Sequence, residues 1–159
     1  MNPIVVAALR VLLVLIFAGT VITQVAIIPP IASASAGNYP ELAYLAVPYA
    51  VLWIAVVIAV QVALASLWIL LGKARRGAIF TGSAFAWVNG IIVASLAATL
   101  LVAGFVVHLI SLGEPGRSPI VFPLAGIVVA GVAFTLVMVV MRGLLRQATQ
   151  LQTELEEVV

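Results

Sequence analysis

An uncharged run of 22 residues, Ile120 to Met141, constrains this chain more than any other feature of its sequence. At about 1.5 Å per residue, a helix over this run is roughly 33 Å long, enough to cross a hydrocarbon core of ~30 Å. Further uncharged stretches of comparable length precede it. The sequence therefore predicts an all-α integral membrane protein built as a four-transmembrane-helix bundle.

The composition leaves no room for a separate soluble domain. Of the 159 residues, 65% are hydrophobic and 8% are charged, against roughly 25% charged in an ordinary soluble domain. The sequence has no cysteine, which excludes disulfides, thiol catalysis and thiolate metal sites. The helices are expected to form their core by packing against one another in lipid.

The span boundaries follow from the proline and glycine positions. The first span is predicted to end at Pro29-Pro30, because proline removes a helical hydrogen bond and clashes with the preceding turn. Pro48 suits the first turn of the second span. We expect one domain over residues 1–159, with spans at about 8–28, 48–71, 82–110 and 120–141, and an amphipathic helical tail at 142–159.

The basic residues predict the orientation of the chain. With four spans, all but one of the Lys and Arg residues fall on the same side, and only Arg117 lies opposite. The residues on the shared side are Arg10, Lys73, Arg75, Arg76, Arg142 and Arg146. Because Lys and Arg are enriched in cytoplasmic segments, both termini and the extended last helix are predicted to be cytoplasmic.

A cleaved signal peptide is the alternative interpretation of the N-terminal segment. Arg10, an apolar stretch and the small residues at 32–36 occur in the required order. The apolar stretch is longer than the usual signal core of about 7–15 residues, and Pro29-Pro30 intervenes. We therefore expect this segment to remain as the first span.

Small residues recur at every fourth position of the third span. Such a ladder forms a nearly straight groove on one face of a helix, into which another backbone can settle closely. The predicted helix-packing groove consists of Gly82, Ala86, Gly90 and Ala94. The sequence leaves open whether the partner helix belongs to the same chain or to another copy.

Four polar or ionisable residues at membrane depth are candidates for a polar cavity: Gln24, Gln61, Asn89 and His108. The simpler interpretation of the amides is interhelical hydrogen bonding, worth ~0.6 kcal/mol on average. His108 lies near the outer end of the third span. It is either an interfacial, hydrated side chain or a proton-sensing or ligand-sensing group, since its reference pKa is near 6.5.

The cytoplasmic face carries the candidate lipid or partner contacts, which are Lys73, Arg75, Arg76, Arg142 and Arg146. Basic residues at this level lie among anionic headgroups. In the tail, apolar residues spaced alternately by four and three positions predict a short coiled-coil seam. That seam consists of Leu144, Ala148, Leu151, Leu155 and Val158. It serves either to fold the tail against the membrane or to bind another helix.

Two segments resemble a known family. Residues 73–80 contain Arg75, Gly77 and Phe80 in the pattern Arg-x-Gly-x-x-Phe, and residues 144–159 are similar to the closing segment of actinobacterial members. The chain is identified on these segments as a member of the bacterial four-helix membrane family called domain of unknown function 2975. The resemblance implies a bacterial plasma-membrane protein and supplies no catalytic residues.

We expect a non-enzymatic protein without a cofactor, because no nucleophile–base pair, paired carboxylates or metal-ligand cluster is apparent. The favoured function is an accessory or regulatory module acting through the basic loop and the helical tail. The alternative is a homo-oligomeric channel or small-molecule pore. The predicted partners are membrane lipids and either further copies of the chain or a cytoplasmic protein, with no direct binding of nucleic acid.

Overall fold

The computed structural model describes the backbone of residues 3–75, 82–112 and 120–157, and the side chains of residues 4–73, 85–112 and 120–151. Within these ranges every regular element is helical. In chain order they are α1 (Pro3–Ile22), a π-helical turn (Thr23–Ile27), α2 (Ile28–Asn38), a 3₁₀ turn (Pro40–Leu42), α3 (Ala43–Arg75), α4 (Gly82–Ser111) and α5 (Val121–Glu157).

Four helical segments of the described chain are long and apolar enough to cross a membrane. They are Ile4–Asn38, Pro40–Lys73, Phe85–Ser111 and Val121–Leu151. The fold class of an all-helical, four-span protein is thus confirmed, while the depth of each helix in a bilayer and the side on which the termini lie stay predictions. Most large apolar side chains of α1 and α5 are exposed, as expected of helices that face lipid.

The prediction that the first helix ends at Pro29-Pro30 is wrong, because the helix continues to Asn38. Neither proline has an N–H, so the carbonyls of Val25 and Ala26, four residues earlier, lose their usual donors. The chain adapts with the π-helical turn directly before the prolines, in which the Ile28 N–H donates to the Thr23 carbonyl. A π turn widens the helix by one residue and makes room for the rings.

The start of the second helix was also misplaced. Pro48 was expected in its first turn, but α3 begins at Ala43 and holds Pro48 inside the helix. A 3₁₀ turn precedes α3, with the Leu42 N–H donating to the Tyr39 carbonyl at 3.0 Å. The connection between the first two long helices is therefore much shorter than the gap of residues 29–47 between the first two predicted spans.

The helices pack in chain order: α2 and part of α1 against α3, α3 against α4, and α4 against α5. One end of the bundle carries the α2–α3 connection and the start of α5, and we call it the loop end. The other carries the start of α1 and the end of α3, and we call it the terminal end. Each end has its own buried apolar cluster, Val102, Phe105, Val106, Val121 and Leu124 at the loop end and Val6, Leu13 and Leu71 at the terminal end.

Helix α5 contacts the bundle along a single regular seam. Between Val121 and Met138, the residues that are buried or half-buried recur at alternating intervals of three and four: Val121, Leu124, Val128, Gly131, Thr135 and Met138. This spacing is that of helices packed at a small angle, as in coiled coils. The helix has 37 residues and is roughly 55 Å long, so it is longer than a bilayer core is thick.

Candidate functional site

A polar cluster joins the first helix to the third at the level of the π-helical turn. The Gln61 side-chain amide donates to the Gln24 Oε1 at 3.0 Å and to the Thr20 Oγ1 at 3.2 Å. The Thr20 hydroxyl in turn donates to the Phe17 carbonyl. Because Gln61 is hydrogen-bonded to both Gln24 and Thr20, the cluster stabilises the contact between the first helix and α3.

The predicted polar cavity does not assemble as one group. Gln24 and Gln61 meet, but Asn89 is exposed and accepts a hydrogen bond from the Arg142 Nη1 at 3.0 Å. His108 is exposed near the loop end, and its ring lies edge-on to that of Tyr49 with the centroids 5.9 Å apart. The four residues therefore occupy three separate places.

The small-residue groove of α4 packs within the chain over part of its length. Gly90 faces α3 so closely that an added Cβ would lie 3.1 Å from the Ser66 Oγ, and Ser66 is almost fully buried. Ala94 is buried as well, whereas Ala86 is exposed. Gly82 begins α4. The predicted groove is thus packed against α3 at Gly90 and open at Ala86.

The tightest contact between α4 and α5 was not predicted. A Cβ added to Gly131 would lie 3.2 Å from both Cβ and Cγ2 of Thr99. Nearby, the Ser95 and Thr135 hydroxyls are hydrogen-bonded at 3.1 Å. The sequence signal was present in the α4 pair of Ser95 and Thr99, four residues apart. Gly131 and Thr135 on α5 have the same spacing, but the sequence carries no signal that pairs them with Ser95 and Thr99.

Among the basic residues predicted to contact lipid or a partner, Lys73, Arg142 and Arg146 lie around the terminal end. Arg142 is hydrogen-bonded to Asn89, Arg146 is exposed and Lys73 is half-buried. The side chain of Arg75 and the whole of Arg76 lie outside the described residues.

The predicted tail seam lies on a face of α5 that the rest of the described chain does not cover. Leu144 and Leu151 are 54% and 61% exposed, and Ala148 is also exposed. Leu145, one position on, instead lines a cleft with residues of α1, α3 and α4. Leu155 and Val158 lie outside the described side chains.

Arg10 is a basic residue that was not among the predicted lipid or partner contacts. It is half-buried, and its guanidinium carbon lies 5.3 Å from the centroid of the Trp68 ring. Its Nε is buried without a hydrogen-bond partner in the described part of the chain. Such a cation–π contact is worth ~0.5–1 kcal/mol at an exposed site. Sequence alone could not pair α1 with the end of α3.

An apolar pocket of about 390 Å³ lies near the loop end, between α2, α3 and the ends of α4 and α5. Its volume is in the range of small-molecule sites. The hydroxyls of Thr23 and Ser35 in its wall donate to carbonyls of their own helical segment. The Tyr49 hydroxyl is buried without a partner among the described residues. An apolar ligand in this pocket would therefore meet few polar groups that could fix its orientation.

Metal-binding geometry is not found among the described residues, where no three His, Cys, Asp or Glu side chains come together. The non-enzymatic function therefore remains a prediction that rests on the sequence.

The arrangement defines a multi-pass helical membrane protein in which a few polar side chains link neighbouring helices. The profile of the family described as "Protein of unknown function (DUF2975)" matches residues 30–159. The chain belongs to this family, as its sequence segments indicated. No curated protein and no solved structure matches the chain.

Proposed function

We propose that this chain is a non-enzymatic accessory or regulatory module of the bacterial plasma membrane. Both termini lie in the cytoplasm, and the terminal end of the bundle with the tail of α5 engages a helical partner protein and anionic lipid. The basic residues provide the lipid contacts, and the exposed face of the tail provides the protein contact.

The observation that carries this proposal is the exposed apolar stripe of Leu144, Ala148 and Leu151 on α5. It begins after Arg142, where the uncharged run has ended. In the predicted topology this stripe meets water, which is unfavourable for two large aliphatic side chains. An amphipathic helix of a partner would bury it in the manner of a coiled-coil seam.

The base of the tail is tied to the bundle. The Arg142 guanidinium donates to the Asn89 side chain on α4, and Leu145 lies in a cleft beside Leu71 and Val88. A helix held at two points projects in a defined direction. A partner that binds the tail therefore also acts on the packing of α4 and α5.

A photo-crosslinking amino acid placed at Leu151 in growing cells tests the proposal. We expect a discrete cross-linked species of defined mass that contains a second, different protein. The matched control is Gln150, which is exposed but lies about 100° further round the helix. Equal cross-linking from both positions, or none from Leu151, would remove the support for a docked tail.

The homo-oligomeric pore remains the alternative, and one observation favours self-association. A cleft of about 500 Å³ crosses α3, α4 and α5 and is lined largely by small residues, Ala59, Ala63, Ala94, Ala98, Ala130 and Gly131 among them. A helix of another copy could settle there. A pore predicts a closed ring of identical copies, whereas an accessory module predicts a heterologous partner.

A further inference from the structure

The strongest unassigned feature is the guanidinium of Arg10 at the terminal end. Arg10 lies seven residues after the start of α1, roughly 10 Å along the helix. Its side chain reaches across to the end of α3, where it stacks on Trp68. An added Cβ at Gly72 would lie 4.0 Å from the Arg10 Nη2, so the α3 backbone passes beside the guanidinium.

Trp68 covers one face of this guanidinium and holds it in place. The Arg10 Nε is buried without a partner in the described chain. The two terminal nitrogens make no hydrogen bond to a described residue, so they can donate to an acceptor from outside. A planar guanidinium presents its N–H groups as a fork that fits two oxygens of one phosphate.

The charges around Arg10 favour an anionic ligand. Lys73 follows Gly72 in the chain and lines an apolar cleft together with Leu9, the neighbour of Arg10. Among the described side chains, the only carboxylate is that of Glu41, which lies in the 3₁₀ turn at the loop end. A negative group at Arg10 thus meets basic residues and no described acid.

A second apolar cleft begins at the ring on which Arg10 stacks. It has a volume of about 260 Å³ and runs between α1 and α3. Its walls are Leu13, Phe17, Leu64, Ala65, Trp68 and Ile69. On α1, Leu13 and Phe17 follow Arg10 by one and two turns, so the cleft extends from the cation toward the middle of the bundle.

We propose that Arg10, Trp68 and this cleft form a binding site for one anionic phospholipid. The Arg10 Nη atoms donate to the lipid phosphate, Trp68 fixes the guanidinium, and an acyl chain occupies the cleft. This site deepens the lipid contact of the proposed function. It can fail independently of partner docking, because Arg10, Trp68 and the cleft take no part in the exposed stripe of the tail.

The test uses the full chain with Trp68 as its sole tryptophan, obtained with W53F and W87F. The protein is placed in phosphatidylcholine micelles, and phosphatidylglycerol with brominated acyl chains is titrated in. Bromine quenches an indole only at short range, so quenching of Trp68 reports an acyl chain in the cleft. Brominated phosphatidylcholine serves as the zwitterionic comparison.

Arg10→Gln is expected to weaken phosphatidylglycerol binding about tenfold, the change that follows from losing a charge-assisted hydrogen bond. Binding of phosphatidylcholine should not change. Arg117→Gln removes the same charge from a residue that the sequence places on the opposite side of the membrane and is expected to alter binding less than about twofold. Equal losses in the two variants would overturn the proposal in favour of general surface attraction.

Ala65→Leu tests the cleft without altering the charge. Its larger side chain narrows the space for an acyl chain, so quenching should fall while Arg10 is intact. Free sn-glycerol 3-phosphate, which carries the phosphate without acyl chains, should not displace the lipid at equal concentration. Unchanged quenching in Ala65→Leu, or displacement by glycerol phosphate, would show that the site binds a phosphate and not a lipid. Unchanged helical circular dichroism confirms that each variant is folded.

Discussion

Replacing Gly131 with alanine introduces a methyl group into the tightest contact between α4 and α5. The new Cβ would lie against Oγ1 of Thr99 and 3.2 Å from both its Cβ and its Cγ2. Rotation of the Thr99 side chain would break a hydrogen bond, because its hydroxyl donates to the Ser95 carbonyl at 2.7 Å and the residue is 8% exposed. The two helices must separate, or Thr99 must leave its preferred rotamer.

The matched control is Gly126→Ala, five residues earlier on the same helix, where an added Cβ has nothing within 4 Å. Both substitutions gain the same helix propensity, about 1 kcal/mol in soluble hosts, so this gain cancels in their difference. What remains is the cost of overpacking, about 1–3 kcal/mol. We therefore expect G131A to have a free energy of unfolding about 1–3 kcal/mol lower than that of G126A.

The assay is reversible unfolding in mixed micelles with increasing sodium dodecyl sulfate, followed by circular dichroism. The double variant G131A/T99A should recover part of the loss, since it removes two of the crowding atoms. Equal unfolding free energies for G131A and G126A would refute the close approach of α4 and α5 at this position.

Three further predictions concern the polar and basic groups. Gln61→Leu removes two interhelical hydrogen bonds and should lower the unfolding free energy by about 1 kcal/mol, measured in the same assay; no loss would mean that the first helix is held by apolar contacts alone. Arg142→Ala should speed hydrogen exchange in the tail of α5 more than Arg146→Ala does, because only Arg142 is bonded to α4. In the cysteine-free chain, a cysteine replacing Tyr39 should react with an impermeant maleimide on intact cells, whereas a cysteine replacing Leu151 should react only after permeabilisation. The reverse pattern of labelling would show that the termini lie outside the cytoplasm.

The long-range pattern of hydropathy predicted the fold class because each uncharged run is long enough to cross a bilayer as a helix. The breaks within helices could not be predicted in the same way. Pro29-Pro30 is a strong local stop signal, yet the π-helical turn before it lets the helix continue. Proline marks a probable boundary, and tertiary packing decides whether the helix ends there.

The candidate site was predictable only where a pattern lies within one helix. The α4 ladder drew attention to Gly90 and Ala94, which are packed in the structure, Gly90 against Ser66 of α3. Pairs between helices carried no such signal, so the hydrogen bond between Asn89 and Arg142 and the stacking of Arg10 on Trp68 appear only in three dimensions. Membrane helices have similar apolar surfaces all round, and their rotation is set by a few small or polar residues.

The mass of the protein assembly in native lipid nanodiscs distinguishes an accessory module from a pore. An accessory module is expected to be a monomer or dimer that carries a stoichiometric protein partner, and this partner should be lost when Leu144 and Leu151 are both replaced with glutamine. A closed ring of identical copies without another protein would contradict the accessory function and establish a pore.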